Sequence, residues 1–415
     1  MDELADTPDE TDAALRMALL ARAACWPRGA LIRRDLLLAS LELPPSDPLA
    51  ADRAAAVLEQ MIGAELRPAG SRGVRLLSAR AVVRLVAHTL DDARAAVERT
   101  LVAAAEQSLA EGNVRRLRPW APDLHAFADH ALADGRRDLL AIALARAVGA
   151  VNERLGDLDV ARRYLDLAFD RCDADSDADA TVRANLLQRL AGVAWKQHEE
   201  PVAASYAGLA VDLLSTMLGE RHLLTAAAQL LHSRLRLARD DFAGAQEQLE
   251  AALATRQALL APGDPQIAEA HLVLGDLYAR SGNAGLALGE LRTALALYDA
   301  APHQRRGVAQ SAARLAAVLA QVGDMEGAVH HARTALEARA AANIGDDAEA
   351  AEVLRILGRG CIALGDLTSG RAAFGRALEV LITVYGPEAP ETRELREQIA
   401  QLAAGKLLAV PPTWN

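Results

Sequence analysis

The sequence predicts an all-α protein that is built from stacked helical hairpins, with one small segment of strand near its N-terminus. Roughly a fifth of the 415 residues are alanine, which has the highest helix propensity and gives strands little side chain to pack. Aromatic residues make up only 3% of the chain, so a sheet-rich core is not expected. The third observation is an internal repeat of about 42 residues, which is typical of helical arrays.

A short loop marks this repeat at six places between residues 156 and 366. The loops begin at Gly156, His198, Asp240, Gly282, Gly323 and Gly365, with spacings of 42, 42, 42, 41 and 42 residues. Ala or Gly stands five residues after each of these positions, and Ala stands twelve residues after. We predict two helices in each repeat, with Gly at the end of the first, Asp or Asn capping the second, and small residues where the helices cross. One such hairpin cannot bury its apolar face alone, so the repeats must stack into a solenoid.

The most regular repeat carries the segment Leu274-Gly275-Asp276-Leu277-Tyr278, followed by Gly282, Ala287, Leu291 and Ala294. This pattern resembles the tetratricopeptide repeat, and the 42-residue length is similar to the repeats of kinesin light chains and of bacterial signalling ATPases. The resemblance covers roughly residues 142–404. It implies a right-handed superhelix of six hairpins, closed by a polar capping helix, and it implies binding as the function. We expect Thr225 and Thr392 to cap the helices that follow two of the inter-repeat loops.

Residues 11–90 show a different pattern, in which three predicted helices precede a predicted hairpin. We place the helices at Asp12–Ala24, with Thr11 as its cap, at Ala30–Leu41 and at Leu49–Ala64, and the hairpin strands at 65–68 and 73–77. This order is similar to a winged helix. Joined to 42-residue repeats, it resembles the C-terminal half of STAND-type (NB-ARC-like) signalling ATPases. The sequence contains no GxxxxGK[ST] motif, so it lacks the phosphate-binding loop of such an ATPase.

These patterns predict a domain organisation in six parts. The parts are an acidic N-terminus (1–10), a winged-helix-like domain (11–90), a helical junction (91–141), six repeats (142–387), a capping helix (388–404) and a C-terminal tail (405–415).

Charge and composition narrow the classes of function. The net charge of −11 opposes binding to phosphate backbones, and the third predicted helix carries Asp52 and Glu59 against Arg53 alone, so we do not expect nucleic acid as a partner. The N-terminus is acidic and no run of 18 apolar residues occurs, which predicts a cytoplasmic protein without a membrane anchor.

The sequence also gives no pattern for a metal, a cofactor or a catalytic group. Cys25, Cys172 and Cys361 lie far apart without a CxxC spacing, which indicates neither a disulfide framework nor a zinc site. The acidic segment 173–179 begins like a calcium loop but continues without the required Gly and Glu, and the His330-His331 pair has no HExxH motif and no carboxylate four residues after it. We therefore predict a protein that is not an enzyme and that binds no cofactor.

A protein or peptide partner is the remaining expectation. In tetratricopeptide arrays the first helices line the concave groove, and the resemblance carries twelve groove positions to this chain. They are Arg146, Arg154, Asn185, Gln188, Trp195, Lys196, Arg234, Asp276, Arg280, Gln310, Arg355 and Arg359.

Seven of these twelve residues are basic, and we hypothesise a groove for an acidic peptide, because Arg side chains bind carboxylates in a fork. The alternative is a solvated face that neighbouring acidic residues balance. The function predicted is a scaffold or sensor in a bacterial STAND-like regulatory or defence pathway. A peptide-sensing transcriptional regulator and an accessory subunit of an enzyme or effector encoded nearby remain open as alternatives.

Overall fold

The protein is described by a computed structural model. The described residues are 10–26, 30–44, 47–62, 64–69, 73–76, 86, 89–111, 118, 121–173, 177–301 and 303–403. The predicted acidic terminus (apart from residue 10), the turn at 70–72, the tail at 405–415 and residues 174–176 of the calcium-like segment lie outside this part of the chain.

Eighteen helices and three short strands make up the described residues, which confirms the predicted all-α class. Those of the N-terminal region are α1 (Glu10–Cys25), α2 (Arg34–Ala39), α3 (Pro48–Met61), α4 (Leu90–Ala110) and α5 (Ala121–Ala133), with β1 (Ile32–Arg33), β2 (Leu66–Pro68) and β3 (Gly73–Leu76). The first three repeats are α6 (Leu139–Leu155) with α7 (Leu158–Arg171), α8 (Asp177–Lys196) with α9 (Glu200–Leu218), and α10 (Leu223–Ala238) with α11 (Phe242–Leu259). The last three repeats are α12 (Pro265–Arg280) with α13 (Ala284–Ala300), α14 (Arg305–Gln321) with α15 (Met325–Ala341), and α16 (Ala348–Ala363) with α17 (Leu367–Tyr385), followed by α18 (Pro390–Ala403).

The chain divides into two compact units, residues 1–206 and 207–415. The first unit holds the N-terminal elements and the first repeat, together with most of the second. The second unit holds the remaining repeats and the final helix α18. The six-part domain organisation predicted above stays a prediction.

The N-terminal segment of the first unit has the predicted helix and hairpin order, with corrections. Strands β1, β3 and β2 form one antiparallel sheet in that order, so the hairpin gains a third strand from a segment predicted as helix. Helix α2 is correspondingly shorter than predicted. Helix α3 ends at Met61, because Ile62 is already extended. Thr11 lies inside α1 and is not its cap, since α1 begins at Glu10.

A continuous apolar core runs through the first unit. It includes Leu37 of α2, Leu58 of α3 and Leu101 of α4, all of which are buried. Trp26 and Phe127 meet edge to face with ring centroids 5.5 Å apart, which joins the end of α1 to α5. The winged-helix-like segment is therefore packed into the same core as the first repeat.

The two helices of a repeat approach closely at the small residues that the sequence repeats. The six alanines from Ala168 to Ala377 that stand twelve residues after each loop start are completely buried. At Gly275 of α12, a Cβ atom would lie 2.6 Å from Cγ and Cδ2 of Leu291 in α13. Gly149 and Gly358 are similarly opposed by Leu165 and Phe374. These positions confirm that small residues permit the helices to cross.

The loop between the two helices of a repeat has the predicted conformation. Gly156, Gly282, Gly323 and Gly365 have φ between +82° and +89°. His198 and Asp240 adopt the same left-handed region, at +62° and +58°, where a side chain is disfavoured. The geometry of the loop is thus set by the packing of the helices, and not by glycine alone.

The predicted threonine caps are wrong. The side chain of His222 caps α10 by accepting a hydrogen bond from Leu224 N at 3.2 Å, and Thr225 lies three residues further into the helix. Thr225 Oγ1 instead donates to the carbonyl oxygen of Gly219 at 2.9 Å, and Thr392 donates to Gly386 at the same distance. Both threonines are fully buried, so they hold the inter-repeat loop against the next first helix.

Two buried arginines hold other inter-repeat loops. Nη1 of Arg339, in the last turn of α15, donates to Glu349 at 2.9 Å, and Nη2 donates to the carbonyl oxygen of Gly345 at 2.9 Å and contacts Asp347 at 2.6 Å. Arg256 occupies the equivalent position in α11 and donates to the carbonyl oxygen of Gln266. An arginine that satisfies several loop acceptors replaces the apolar residue found at this position in other repeats.

One of the described helices, α9, is long and apolar enough to cross a membrane by length and composition alone, with a mean hydropathy of 1.3. Ala203, Ala207 and Ala210 on this helix are buried, as expected for the second helix of a repeat.

Candidate binding face on the first helices

The first-helix face consists of the outward sides of the first helices of the repeats, α6 and α8 in the first unit and α10, α12, α14 and α16 in the second. All twelve residues predicted for the groove lie on these helices. Asn185, Trp195 and Lys196 are exposed, and Trp195 retains 40% of its accessible area. The face therefore presents one large aromatic side chain, at the C-terminal end of α8.

Ion pairs connect the neighbouring helices of the first unit along this face. Arg146 contacts Glu106 of α4 at 2.5 Å. On the next helix, Arg189 and Lys196 both contact Glu153 of α6, at 3.1 Å and 2.6 Å. Of these three residues Glu153 is the most buried, with 16% of its side chain exposed. The two cations therefore share one carboxylate that is largely removed from water.

The second unit carries a similar series of ion pairs between successive first helices. Arg234 of α10 contacts Glu269 of α12 at 3.0 Å, and Arg280 of α12 contacts Asp240 at 2.7 Å. Arg314 of α14 contacts Asp276 at 3.2 Å. Burial raises the pKa of Asp276 and outweighs the opposing effect of Arg314.

Helix α16 holds the densest group of charges on this face. Arg355 and Arg359 both contact Glu352, each at 3.4 Å, and Arg355 also contacts Glu394 of α18 at 3.4 Å. Burial raises the pKa of Glu352 and lowers the pKa of Arg359, in each case against the effect of the opposite charge. The Nε atom of Arg355 is buried without a hydrogen-bond partner among the described residues. We call Glu352, Arg355 and Arg359 the α16 cluster.

The face is close to charge-balanced, because six of its seven predicted bases contact a carboxylate. Arg154 is the exception, since it is exposed and forms no ion pair with a described residue. Most of these pairs are partly exposed, and such pairs contribute only about 0–1 kcal/mol each. A ligand carboxylate can therefore compete for the arginines at low cost. The use of these residues in binding stays a prediction.

The acidic and additional basic members of the face were missed by the sequence analysis. Glu269 and Glu352 occupy equivalent positions in the fourth and sixth repeats, seven residues before Asp276 and Arg359. Arg189 and Arg314 occupy another shared position, nine residues before the loop starts at His198 and Gly323. Seven residues are about two turns of a helix. The repeat register alone could therefore have placed Glu269 on the face of Asp276, and Glu352 on the face of Arg359.

No protein-family model matches this chain, and no curated protein matches it. Solved structures do. A STAND ATPase with a tetratricopeptide-repeat sensor from Pyrococcus horikoshii matches 94% of this chain with a TM-score of 0.54 and 13% identity. The apo form of RapI matches 72% of this chain, with a TM-score of 0.53 and 11% identity.

The Cut9–Hcn1 hetero-tetramer of the APC/C matches 88% of this chain with a TM-score of 0.51 and 14% identity. The chain spans about 60% of the STAND ATPase, 62% of the matched APC/C chain and 99% of RapI. At these identities the matches show the fold. The chain has the tetratricopeptide-repeat fold that its 42-residue pattern predicts.

Proposed function

We propose that the protein is a non-catalytic scaffold or sensor that binds a protein segment or peptide on its first-helix face. The observation that carries this proposal is the α16 cluster, in which two arginines converge on one carboxylate at 3.4 Å. These contacts are longer than the 2.7–2.9 Å of well-formed charge-assisted hydrogen bonds. The Nε atom of Arg355 is also buried without a hydrogen-bond partner among the described residues, so this guanidinium has capacity for a better-placed acceptor.

The surroundings of the α16 cluster strengthen this capacity. Arg355 and Arg359 expose only 15% and 20% of their side chains, and the shifted pKa values of Glu352 and Arg359 reflect the same burial. Charges interact more strongly where water is partly excluded. An acidic side chain or a C-terminal carboxylate of a partner would bind here in place of the long contacts.

The cellular setting we propose is a bacterial STAND-like regulatory or defence pathway, in the cytoplasm. The likeness to the STAND ATPase and the strand and helix order of the N-terminal segment support this setting. Helix α3 gives less support to DNA recognition, because Arg53 contacts Asp12 at 2.5 Å and Glu59 contacts Arg34 at 2.6 Å. Arg53 and Glu59 are thus engaged within the module, whereas a recognition helix presents donors to the bases.

A peptide-display selection tests the proposal. The full chain is immobilised, dodecapeptides are selected from a random library, and the strongest binder is measured by fluorescence anisotropy. We expect acidic residues to be enriched among the selected peptides. The double substitution Arg355→Glu and Arg359→Glu should weaken binding at least tenfold, because each reversal replaces an attraction with a repulsion.

The matched control reverses two arginines of the second helices. Arg292 on α13 and Arg333 on α15 are exposed and form no ion pair with a described residue, so Arg292→Glu with Arg333→Glu changes the net charge equally. We expect this control to retain the affinity of the parent chain within about twofold, apart from long-range screening effects. Equal losses in the two double variants would refute a role for the first-helix face.

A further inference from the structure

The outward face of the three-stranded sheet carries an arrangement that the fold does not explain. Strand register places Arg67 directly opposite Arg75, and Arg33 directly opposite Gly73. Side chains alternate between the two faces of a strand, and Ile32, Leu66 and Val74 are buried on the inner face. Arg33, Arg67 and Arg75 therefore share the outer face.

An exposed leucine lies among these arginines. Leu31 precedes Ile32 and so points to the outer face, where 43% of its area is exposed. A Cβ atom on Gly73 would lie 2.5 Å from Cδ1 of Leu31, so the leucine side chain rests over the glycine. The outer face thus has an apolar centre, formed by Leu31 over Gly73, and a basic margin. We call this set of residues the sheet patch.

The charges of the sheet patch are only partly balanced. Arg33 contacts Asp35 in the first turn of α2. Arg67 and Arg75 are exposed, and neither forms an ion pair with any residue in the described part of the chain. Like charges directly opposite each other on neighbouring strands are destabilising. The stability of the sheet therefore gives no reason for this pair, whereas an anionic partner would.

We propose that the sheet patch docks an acidic segment of another protein that carries an apolar side chain, which rests against Leu31 between the arginines. Charge complementarity with Arg67 and Arg75 supports an anionic occupant. The exposed Leu31 favours a protein over a nucleic acid, because phosphate groups offer nothing apolar to cover it. An apolar centre with a charged margin is the common anatomy of a protein interface. The net charge of −11 also disfavours a polyanionic nucleic acid.

Fluorescence anisotropy with the full chain tests this proposal. The probe is a fluorescein-labelled dodecapeptide of glutamates with one central leucine, and a second probe has serine in place of the leucine. We expect saturable binding of the leucine probe at low salt and binding of the serine probe that is about fivefold weaker. Arg67→Ala with Arg75→Ala should weaken binding of the leucine probe about tenfold.

Three further variants locate the site. Leu31→Ser should also weaken binding of the leucine probe, because it removes the exposed apolar side chain at the centre of the sheet patch. Arg292→Ala with Arg333→Ala removes the same charge elsewhere and should leave the affinity unchanged. The Arg67→Ala with Arg75→Ala substitutions are also compared in a chain that carries Arg355→Glu and Arg359→Glu. Their effect on the leucine probe should persist there, which separates the sheet patch from the first-helix face.

Three outcomes would overturn the proposal. They are the absence of saturable binding, equal losses in the Arg67/Arg75 variant and the Arg292/Arg333 control, and tighter binding of a 20-base-pair DNA duplex that depends on Arg67 and Arg75. The last outcome would assign the sheet patch to nucleic acid.

Discussion

Replacing Gly275 with Ala tests how closely the two helices of a repeat must approach. The added methyl group would lie 2.6 Å from two carbon atoms of Leu291, which is far inside van der Waals contact. Leu291 is completely buried in α13, so its side chain cannot turn into solvent to make room. Either the leucine leaves its preferred rotamer or the two helices separate. Both responses disturb the packing of the fourth repeat.

Two opposing effects set the magnitude. Ala is favoured over Gly in the middle of a helix by about 1 kcal/mol, and this preference should stabilise α12. Overpacking a well-filled core costs about 1–3 kcal/mol, and the short distance to Leu291 places Gly275 towards the upper part of this range. We therefore expect Gly275→Ala to lower the free energy of unfolding by about 1–2 kcal/mol.

Gly289 provides a control in the partner helix α13. A Cβ atom there would meet no atom within 4 Å, so Gly289→Ala should only add helix propensity and stabilise by about 1 kcal/mol. Repeat arrays can unfold in steps, so hydrogen exchange of the amides in α12 and α13 should accompany urea unfolding. Faster exchange is expected for Gly275→Ala and slower exchange for Gly289→Ala. Equal or greater protection in Gly275→Ala would refute the close-packing argument.

Three more predictions follow from the loops. Arg339→Met should destabilise by about 2 kcal/mol in urea unfolding, because the loop acceptors lose a buried partner; an effect below about 0.5 kcal/mol would contradict this. Thr392→Val should cost about 1 kcal/mol by thermal unfolding, since it removes only the bond to Gly386, and an unchanged midpoint would argue against that bond. The hydrogen bond from Arg136 lowers the pKa of Asp138 to about 2 from 3.8. A carboxyl group whose pKa is lower in the folded state stabilises that state at pH values above its unfolded pKa. This stabilisation is lost as the pH falls towards the folded pKa. Because Asp138 is half exposed, Asp138→Asn should cost only about 1 kcal/mol at neutral pH, and titration of stability should show the difference shrinking between about pH 4 and pH 2.

The repeat architecture could be predicted because its determinants lie within one hairpin. Inside a single repeat, the glycine of the Leu-Gly step lies against the side chain nine residues after the loop start, and the alanine twelve residues after the loop start is buried. A pattern of this kind recurs with the repeat length and is visible without coordinates. The same pattern predicted the left-handed conformation of the loop glycines. His198 and Asp240 adopt this conformation as well, so glycine is not obligatory in the loop.

The features that were missed depend on partners distant in sequence. Strand β1 has two residues and exists because Ile32 pairs with Val74, 42 positions away, so its local sequence still predicted helix. Thr225 has the residue type of a cap, but His222 lies at the true helix start and Thr225 donates to the preceding loop. Local sequence indicates what a threonine hydroxyl can bind, and the position of the neighbouring turn decides which acceptor it finds.

The candidate site shows the same division. The first helices and their outward positions were predictable, and so was the excess of arginine among them. The balancing acids were not identified, because a pair such as Arg314 and Asp276 requires two repeats to be superimposed in space. The sequence left two descriptions open, a basic groove and a face that neighbouring acidic residues balance. The ion pairs favour the balanced face as the description of the unbound protein.

A charge-balanced face is nevertheless compatible with selective binding. A face with unpaired arginines would attract any anion, and its affinity would fall steeply with salt. In the α16 cluster a ligand must instead displace Glu352 from two arginines that already contact it at 3.4 Å. Only a carboxylate with better geometry gains from this exchange, so discrimination arises from the difference between two similar contacts. The paired arginines thus favour recognition of a particular acidic segment over general attraction of negative charge.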